Sequence, residues 1–140
     1  MSPDSPLIFL PLLAHLLLVF ALFIKLGIEK SKAVDARQVD RAAAALDKRA
    51  WPDAVMKVSN NIDNQFQVPM LFYALTFVAY LTQHTSALMI GLLGLFVVSR
   101  YVHAYIHITS NYVPHRFRAF LAGILLLLAL TVWQVIRLFL

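Results

Sequence analysis

One basic residue and two histidines share a helical face in the second half of the chain. Arg100, His103 and His107 are spaced i, i+3, i+7, which places them on one side of a helix. A guanidinium group holds a carboxylate through two hydrogen bonds, and an imidazole can donate beside it. This face is therefore suited to binding an anion.

Two other roles remain open for the same face. An arginine near a helix end can extend to the lipid headgroups, while a histidine forms a hydrogen bond to a neighbouring helix. Histidines four residues apart can also share a metal ion. No carboxylate lies on this face to complete a set of metal ligands, so we expect no metal site.

A second polar group consists of five amide side chains within eight residues, just before Pro69. Its members are Asn60, Asn61, Asn64, Gln65 and Gln67. Amides can bridge neighbouring helices. They can equally bind the peptide-like groups of a ligand, because they offer both donors and acceptors. Both interpretations are open from the sequence.

The composition places these polar groups in a membrane protein. The chain has 140 residues, of which 61% are hydrophobic and 14% charged, and its mean hydropathy is +0.75. Soluble domains have about 45–50% apolar and about 25% charged residues, so a soluble enzyme and a disordered chain are both excluded. The absence of cysteine excludes disulfides, thiolate metal sites and a cysteine nucleophile. Basic cytoplasmic loops explain the net charge of +5 without a nucleic-acid partner.

The apolar runs predict one all-α integral membrane domain over residues 1–140, with four crossings. Four spans are expected at about 6–25, 62–83, 86–108 and 117–137, with a cytoplasmic connector over 26–60. The apolar runs 68–81 and 87–98 are too short to cross about 30 Å of hydrocarbon. The second span must therefore begin in the amides, and the third must continue through Arg100 to about His107.

The basic residues predict the orientation of the spans. They are concentrated in the first and third connections, at Lys25, Lys30, Lys32, Arg37, Arg41, Lys48, Arg49, Lys57, Arg116 and Arg118. Basic loops stay in the cytoplasm, so both termini are expected on the non-cytoplasmic side. The amides and the Arg100 face then meet at the cytoplasmic end of the bundle. Polar residues inside a membrane domain are typical of an interior or water-lined site.

Three segments carry a family resemblance: the run from Asn60 to Leu75, the run from Ser99 to His107, and residues 111–120. Together they resemble the membrane-associated proteins in eicosanoid and glutathione metabolism, the MAPEG superfamily, in its bacterial form. The resemblance covers roughly residues 6–136. It implies an up-down four-helix bundle that forms a homotrimer in the bacterial inner membrane. Glutathione would be bound as co-substrate between subunits near the cytoplasmic face.

The resemblance also implies roles for particular residues. The family has an arginine followed three residues later by a histidine in helix three, which matches Arg100 and His103. His107 stands where the family usually has an aromatic hydroxyl. The arginine that opens helix four, beside the glutathione thiol, is matched by Arg116, with Arg118 as a possible substitute.

Helix two and helix four depart from the family pattern. The family's helix-two asparagine matches Asn61 or Asn64. Its helix-two glutamate is replaced by an amide, which by register is Asn64, Gln65 or Gln67. The basic residues that precede the asparagine are reduced to Lys57, and Phe120 occupies the helix-four tyrosine position.

The function implied by the resemblance is that of a glutathione-dependent transferase or peroxidase. Its substrates would be lipophilic small molecules, either electrophiles or lipid hydroperoxides, that arrive from the bilayer. A free thiol has a pKa near 8.5, and a guanidinium beside it, from Arg116, would favour the thiolate. The alternative is a non-catalytic membrane protein that binds lipid or amphiphilic anions, or a trimeric scaffold.

Overall fold

The computed structural model describes residues 5–140, and its regular structure over these residues is helical. The six α-helices are α1 (Phe9–Asp35), α2 (Arg41–Leu46), α3 (Asp53–Gln65), α4 (Val68–Leu81), α5 (Ala87–Ile108) and α6 (Val113–Phe139). Short 3₁₀ turns precede α1 and lie between α2 and α3, at Pro6–Ile8 and Lys48–Ala50.

Three of these helices are long and apolar enough to cross a membrane. They are α1 with its preceding turn, α5 and α6, at Pro6–Asp35, Ala87–Ile108 and Val113–Phe139. Large aliphatic side chains point outward from them, including Leu17 (66% exposed) and Leu128 (58%). Soluble monomers rarely expose apolar surface this extensive, whereas lipid covers it in a bilayer. α1 continues about ten residues beyond the expected end of the first span.

The segment expected to form the second span is divided into two helices. α3 ends at Gln65 and α4 begins at Val68, with Pro69 in its first turn. Proline has no N–H to donate to the carbonyl four residues earlier, that of Gln65, and its ring crowds that carbonyl. α4 alone has 14 residues and covers about 21 Å.

The helices pack around two apolar clusters. The larger one lies among α4, α5 and α6, where the rings of Phe72 and Phe96 stack with centroids 4.9 Å apart. A methyl group added at Gly123 would lie 2.9 Å from Ser99 Oγ, so this glycine allows α6 to approach α5 closely. The smaller cluster joins α1, α3 and α5 through Leu22, Ile62 and Ala104, among others.

The connector between α1 and α3 is held against both helices. Asp40 caps α2 by accepting from the N–H groups of the second and third residues after it. Lys30 Nζ lies 4.9 Å from the ring centre of Trp51, and Lys48 forms an ion pair with Asp63. These contacts help to fix α3, which carries the amides, beside α1 and α5.

Candidate functional site

Arg100 is the centre of the candidate site. Its residue is fully buried, and no ion pair within residues 5–140 involves it. The guanidinium Nε donates to Gln65 Oε1 at 3.4 Å, and Nη2 donates to the Asn64 carbonyl at 3.5 Å. The third nitrogen, Nη1, is buried without a hydrogen-bond partner. A charged group thus lies between α3 and α5 with neutral acceptors only.

The amides around Arg100 are oriented by a backbone carbonyl. Asn61 Nδ2 donates to the carbonyl of Ala104 at 3.1 Å, so Asn61 Oδ1 faces the other way. That oxygen accepts from Gln65 Nε2 at 2.8 Å. The Gln65 oxygen is therefore the atom that faces Arg100. A carbonyl can only accept, so the direction of each of these bonds is fixed.

The hydrogen bonds continue from Gln65 to α1 and α4, and their directions can be assigned in the same way. Gln65 Oε1 also lies 3.1 Å from His15 Nε2, which must donate because a carbonyl oxygen has no proton. Neutral His15 then has an unprotonated Nδ1, which accepts from the Tyr73 hydroxyl at 2.6 Å. The result is one continuous chain of hydrogen bonds, donor to acceptor, from Tyr73 through His15, Gln65 and Asn61 to Ala104.

A cavity of about 190 Å³ is lined by Asn64, His103, Val113, Arg116, Phe117 and Phe120. The carbonyl of Asn64 also accepts from the buried Arg100, which does not itself line the cavity. His103 Nδ1 lies 3.1 Å from the Arg116 carbonyl and therefore donates to it. The other ring nitrogen, Nε2, is then an acceptor in the neutral imidazole, and it is buried without a partner. The Phe120 ring lies 5.9 Å from the Arg100 guanidinium carbon.

The turn between α5 and α6 holds Arg116 at this cavity. Asn111 has a φ of 51°, a left-handed conformation that asparagine tolerates better than most residues. Its N–H donates to the Ile106 carbonyl at 2.7 Å, which closes the end of α5. Its side-chain oxygen accepts from Arg116 Nη1 at 2.6 Å. One residue thus ends α5 and fixes the guanidinium at the start of α6.

Comparison with known families identifies the chain. A family model for MAPEG matches residues 8–136, nearly its whole length. The chain belongs to the MAPEG family. A search of curated proteins and a search of solved structures found no significant match. Family membership and three membrane-capable helices make this an integral membrane protein.

The structure brings together most of the residues singled out in this MAPEG sequence. The group consists of Asn61, Asn64, Gln65, Arg100, His103, His107 and Arg116. His107 Nδ1 lies 3.5 Å from Asn64 Nδ2. Three predicted residues have exposed side chains away from these contacts: Asn60, Gln67 and Arg118. Of the amides that could replace the MAPEG glutamate, Gln65 is the one whose side chain contacts Arg100.

The site residues predicted from the sequence did not include three residues that belong to these contacts. His15 and Tyr73 complete the hydrogen-bond chain, and Asn111 orients Arg116. A signal existed for His15, since it is the only strongly polar residue in the first apolar run. Within residues 5–140, no group of three or more histidine, cysteine or acidic side chains could hold a metal ion.

Proposed function

We propose that this MAPEG protein is a glutathione-dependent transferase or peroxidase that acts on lipophilic electrophiles or lipid hydroperoxides. The observation that carries the proposal is the buried Arg100 charge, which has no carboxylate partner within residues 5–140 and one nitrogen without a hydrogen bond. A buried charge without a counter-ion is unfavourable, so the site favours an anionic ligand. Glutathione supplies carboxylates for this guanidinium.

Four polar side chains in or next to the cavity have a chemical role in this proposal. Arg100 Nη1 holds a carboxylate of the tripeptide, and Asn64 pairs with a peptide group. His103 Nε2 accepts a hydrogen bond from an N–H or the S–H of the ligand, because its lone pair has no partner in the single chain as far as the structure describes it. Arg116 lies at the same cavity and favours the thiolate over the thiol. Arg118, two residues further on, is the substitute for that role.

The size of the cavity supports a homotrimer. Ordinary ligand pockets have about 300–1,000 Å³, and the cavity within one chain has about 190 Å³. A neighbouring subunit would supply the second wall of the site and cover the polar surface at α3 and α5. We propose that each subunit is an up-down bundle with four crossings, in which α3 and α4 together form the second.

The direction of the bundle and the route of the substrate follow from charge and exposure. The basic residues of the first and third connectors support an orientation with the Arg100 end at the cytoplasmic face and both termini on the opposite side of a bacterial inner membrane. Val113 and Phe117 line the cavity and are more than half exposed. A lipophilic substrate would enter past these two side chains from the surrounding lipid.

The decisive experiment combines binding with turnover on the purified full chain in mild detergent. We expect glutathione to bind, to show thiolate absorbance in the ultraviolet, and to be consumed with at least one member of a panel of electrophiles and lipid hydroperoxides. S-methylglutathione is the matched control, because it keeps the carboxylates and cannot form a thiolate. Absence of glutathione binding would reject the proposal.

One observation favours the alternative, a non-catalytic binder of amphiphilic anions or a trimeric scaffold. Phe120 brings a ring without a hydroxyl to the cavity, so no tyrosine proton donor reaches the thiol from this position. Binding of S-methylglutathione and glutathione with equal affinity, without a thiolate signal or turnover, would favour this alternative.

A further inference from the structure

A second polar pocket lies at the other end of α6. It has a volume of about 310 Å³ and is formed by the turn between α4 and α5 together with the last turns of α6. Arg137 lines it, and none of its described lining residues is acidic. Arg116 and Arg137 are 21 residues apart on α6, about 31 Å along the axis, close to the hydrocarbon thickness of about 30 Å. The two sites therefore lie near opposite membrane faces.

Hydrogen bonds give this second pocket a defined wall. The Thr82 hydroxyl donates to the Val78 carbonyl at 2.7 Å, so its oxygen accepts from Gln134 Nε2, also at 2.7 Å. Gln134 Oε1 then lies 3.2 Å from His84 Nδ1 and accepts a hydrogen bond from its N–H. These bonds fasten the turn to α6. They use both ends of the Gln134 amide and leave Arg137 as the cation of the pocket.

An apolar groove begins where this pocket ends. Gln134 lines both the pocket and a groove of about 550 Å³ between α4 and α6. The groove includes residues from Ile124 to Leu138 of α6, about 21 Å of helix, which exceeds the roughly 15 Å depth of one leaflet. Leu71 and Leu128 in its walls are 65% and 58% exposed, so the groove is open towards lipid in the single chain.

We propose that the protein binds an anionic phospholipid here, with its phosphate in the Arg137 pocket and one acyl chain in the α4–α6 groove. The pocket offers a guanidinium, which suits phosphate oxygens, and the lining residues described by the structure include no carboxylate that would repel them. Trp133 lines the same pocket, as expected of an aromatic residue at the headgroup level. An apolar groove continuous with a cationic pocket matches the division of a phospholipid into chain and head.

The test uses Trp133 as the reporter. The chain has two tryptophans, so Trp51→Phe leaves Trp133 alone. This single-tryptophan protein is reconstituted into vesicles that contain brominated phosphatidylglycerol or brominated phosphatidylcholine, and quenching is measured against mole fraction. We expect about fivefold enrichment of the anionic lipid at Trp133, which corresponds to about 1 kcal/mol for one basic residue near the surface.

Two charge variants distinguish lipid binding at the Arg137 pocket from general attraction of anionic lipid to basic residues. Arg137→Gln should reduce the ratio to about one, while Arg41→Gln, the matched loss of charge in the connector, should leave it at about fivefold. Ala74→Phe places an exposed ring in the groove without changing charge, and it should also lower the ratio. Ala74→Leu is the milder substitution to use where the phenylalanine variant does not fold.

Several outcomes would overturn the proposal. Equal quenching by the two lipids, or no quenching by either, means that no anionic lipid occupies the pocket. An unchanged lipid enrichment in Arg137→Gln would show that Arg137 does not bind the headgroup. An unchanged enrichment in both Ala74 variants would show that the groove does not bind an acyl chain. If the Ala74 variants instead alter the oligomeric state and not the ratio, a second copy of the chain fills the groove. Glutathione binding is a separate readout, and Arg137→Gln should not change it.

Discussion

Gln65 Oε1 lies 3.4 Å from the Nε of the buried Arg100 and accepts its hydrogen bond without neutralising its charge. A glutamate at this position would form an internal ion pair. The amide instead leaves the guanidinium without a counter-ion within residues 5–140. The identity of one atom on α3 therefore decides whether the site is neutral or cationic.

Gln65→Glu should weaken glutathione binding by about tenfold to a hundredfold. The new carboxylate would compete with the ligand for Arg100, and hydrogen bonds to charged groups contribute about 1.5–3 kcal/mol. Isothermal titration in detergent measures the affinity. Gln67→Glu is the matched control, because its side chain is exposed outside the hydrogen-bond chain. Equal affinities for wild type and Gln65→Glu would place the anion elsewhere.

Tyr73→Phe should allow His15 to adopt both neutral tautomers. The hydroxyl donates to Nδ1 at 2.6 Å, and without it the ring can place its proton on Nδ1 and force Gln65 to turn. We expect a loss of about 1–3 kcal/mol of stability, together with the appearance of the Nδ1–H form in ¹⁵N-resolved spectra of the imidazoles. Tyr105→Phe, at an exposed position, should change neither the stability nor the spectra. Persistence of a pure Nε2–H form in Tyr73→Phe would contradict the assigned direction.

Arg116→Ala should mainly lower turnover, whereas Arg100→Ala should mainly weaken glutathione binding. Loss of Arg116 removes thiolate stabilisation and should lower turnover more than affinity. Loss of Arg100 removes a charge-assisted contact to a carboxylate and should weaken binding about tenfold or more. Thiolate absorbance on adding glutathione separates the two. If Arg118→Ala, and not Arg116→Ala, removes the thiolate signal, then Arg118 has the role assigned here to Arg116.

Cysteines introduced at Ala44 and His84 should react from opposite sides of the membrane. The chain has no native cysteine, so each variant carries a single thiol. Ala44 lies in the basic connector, and His84 lies in the turn between α4 and α5. An impermeant maleimide added to intact cells should label Ala44→Cys only after the membrane is opened. Labelling of both variants from outside would exclude the proposed orientation.

Native mass spectrometry from detergent should detect three copies of the chain. Polar groups at the cavity and the small volume of the site within one chain both favour a shared interface. Only monomer at micromolar concentration would contradict the trimer. In that case the remaining wall of the ligand site would have to come from lipid.

The sequence was sufficient for the three long apolar helices and insufficient for the break in the second expected span and for the connections among polar side chains. Long apolar runs set α1 and α6, because helix is one of the few ways to satisfy backbone groups in hydrocarbon. Pro69 lies within the expected second span, and the structure shows a full break before Val68. The roles of Gln65 and His15 depend on which amide atom faces the Ala104 carbonyl. That choice is made by packing between distant segments, and no local spacing records it.

The hydrogen-bond chain from Tyr73 to Ala104 also bears on whether a proton can move along the polar groups inside the bundle. A hydroxyl or an imidazole can take up a proton on one side and release it on the other. An amide cannot do so readily, because it donates from nitrogen and accepts at oxygen. Gln65 and Asn61 stand in series between His15 and the α5 backbone. The row of polar groups therefore joins four helices without offering a continuous route for a proton.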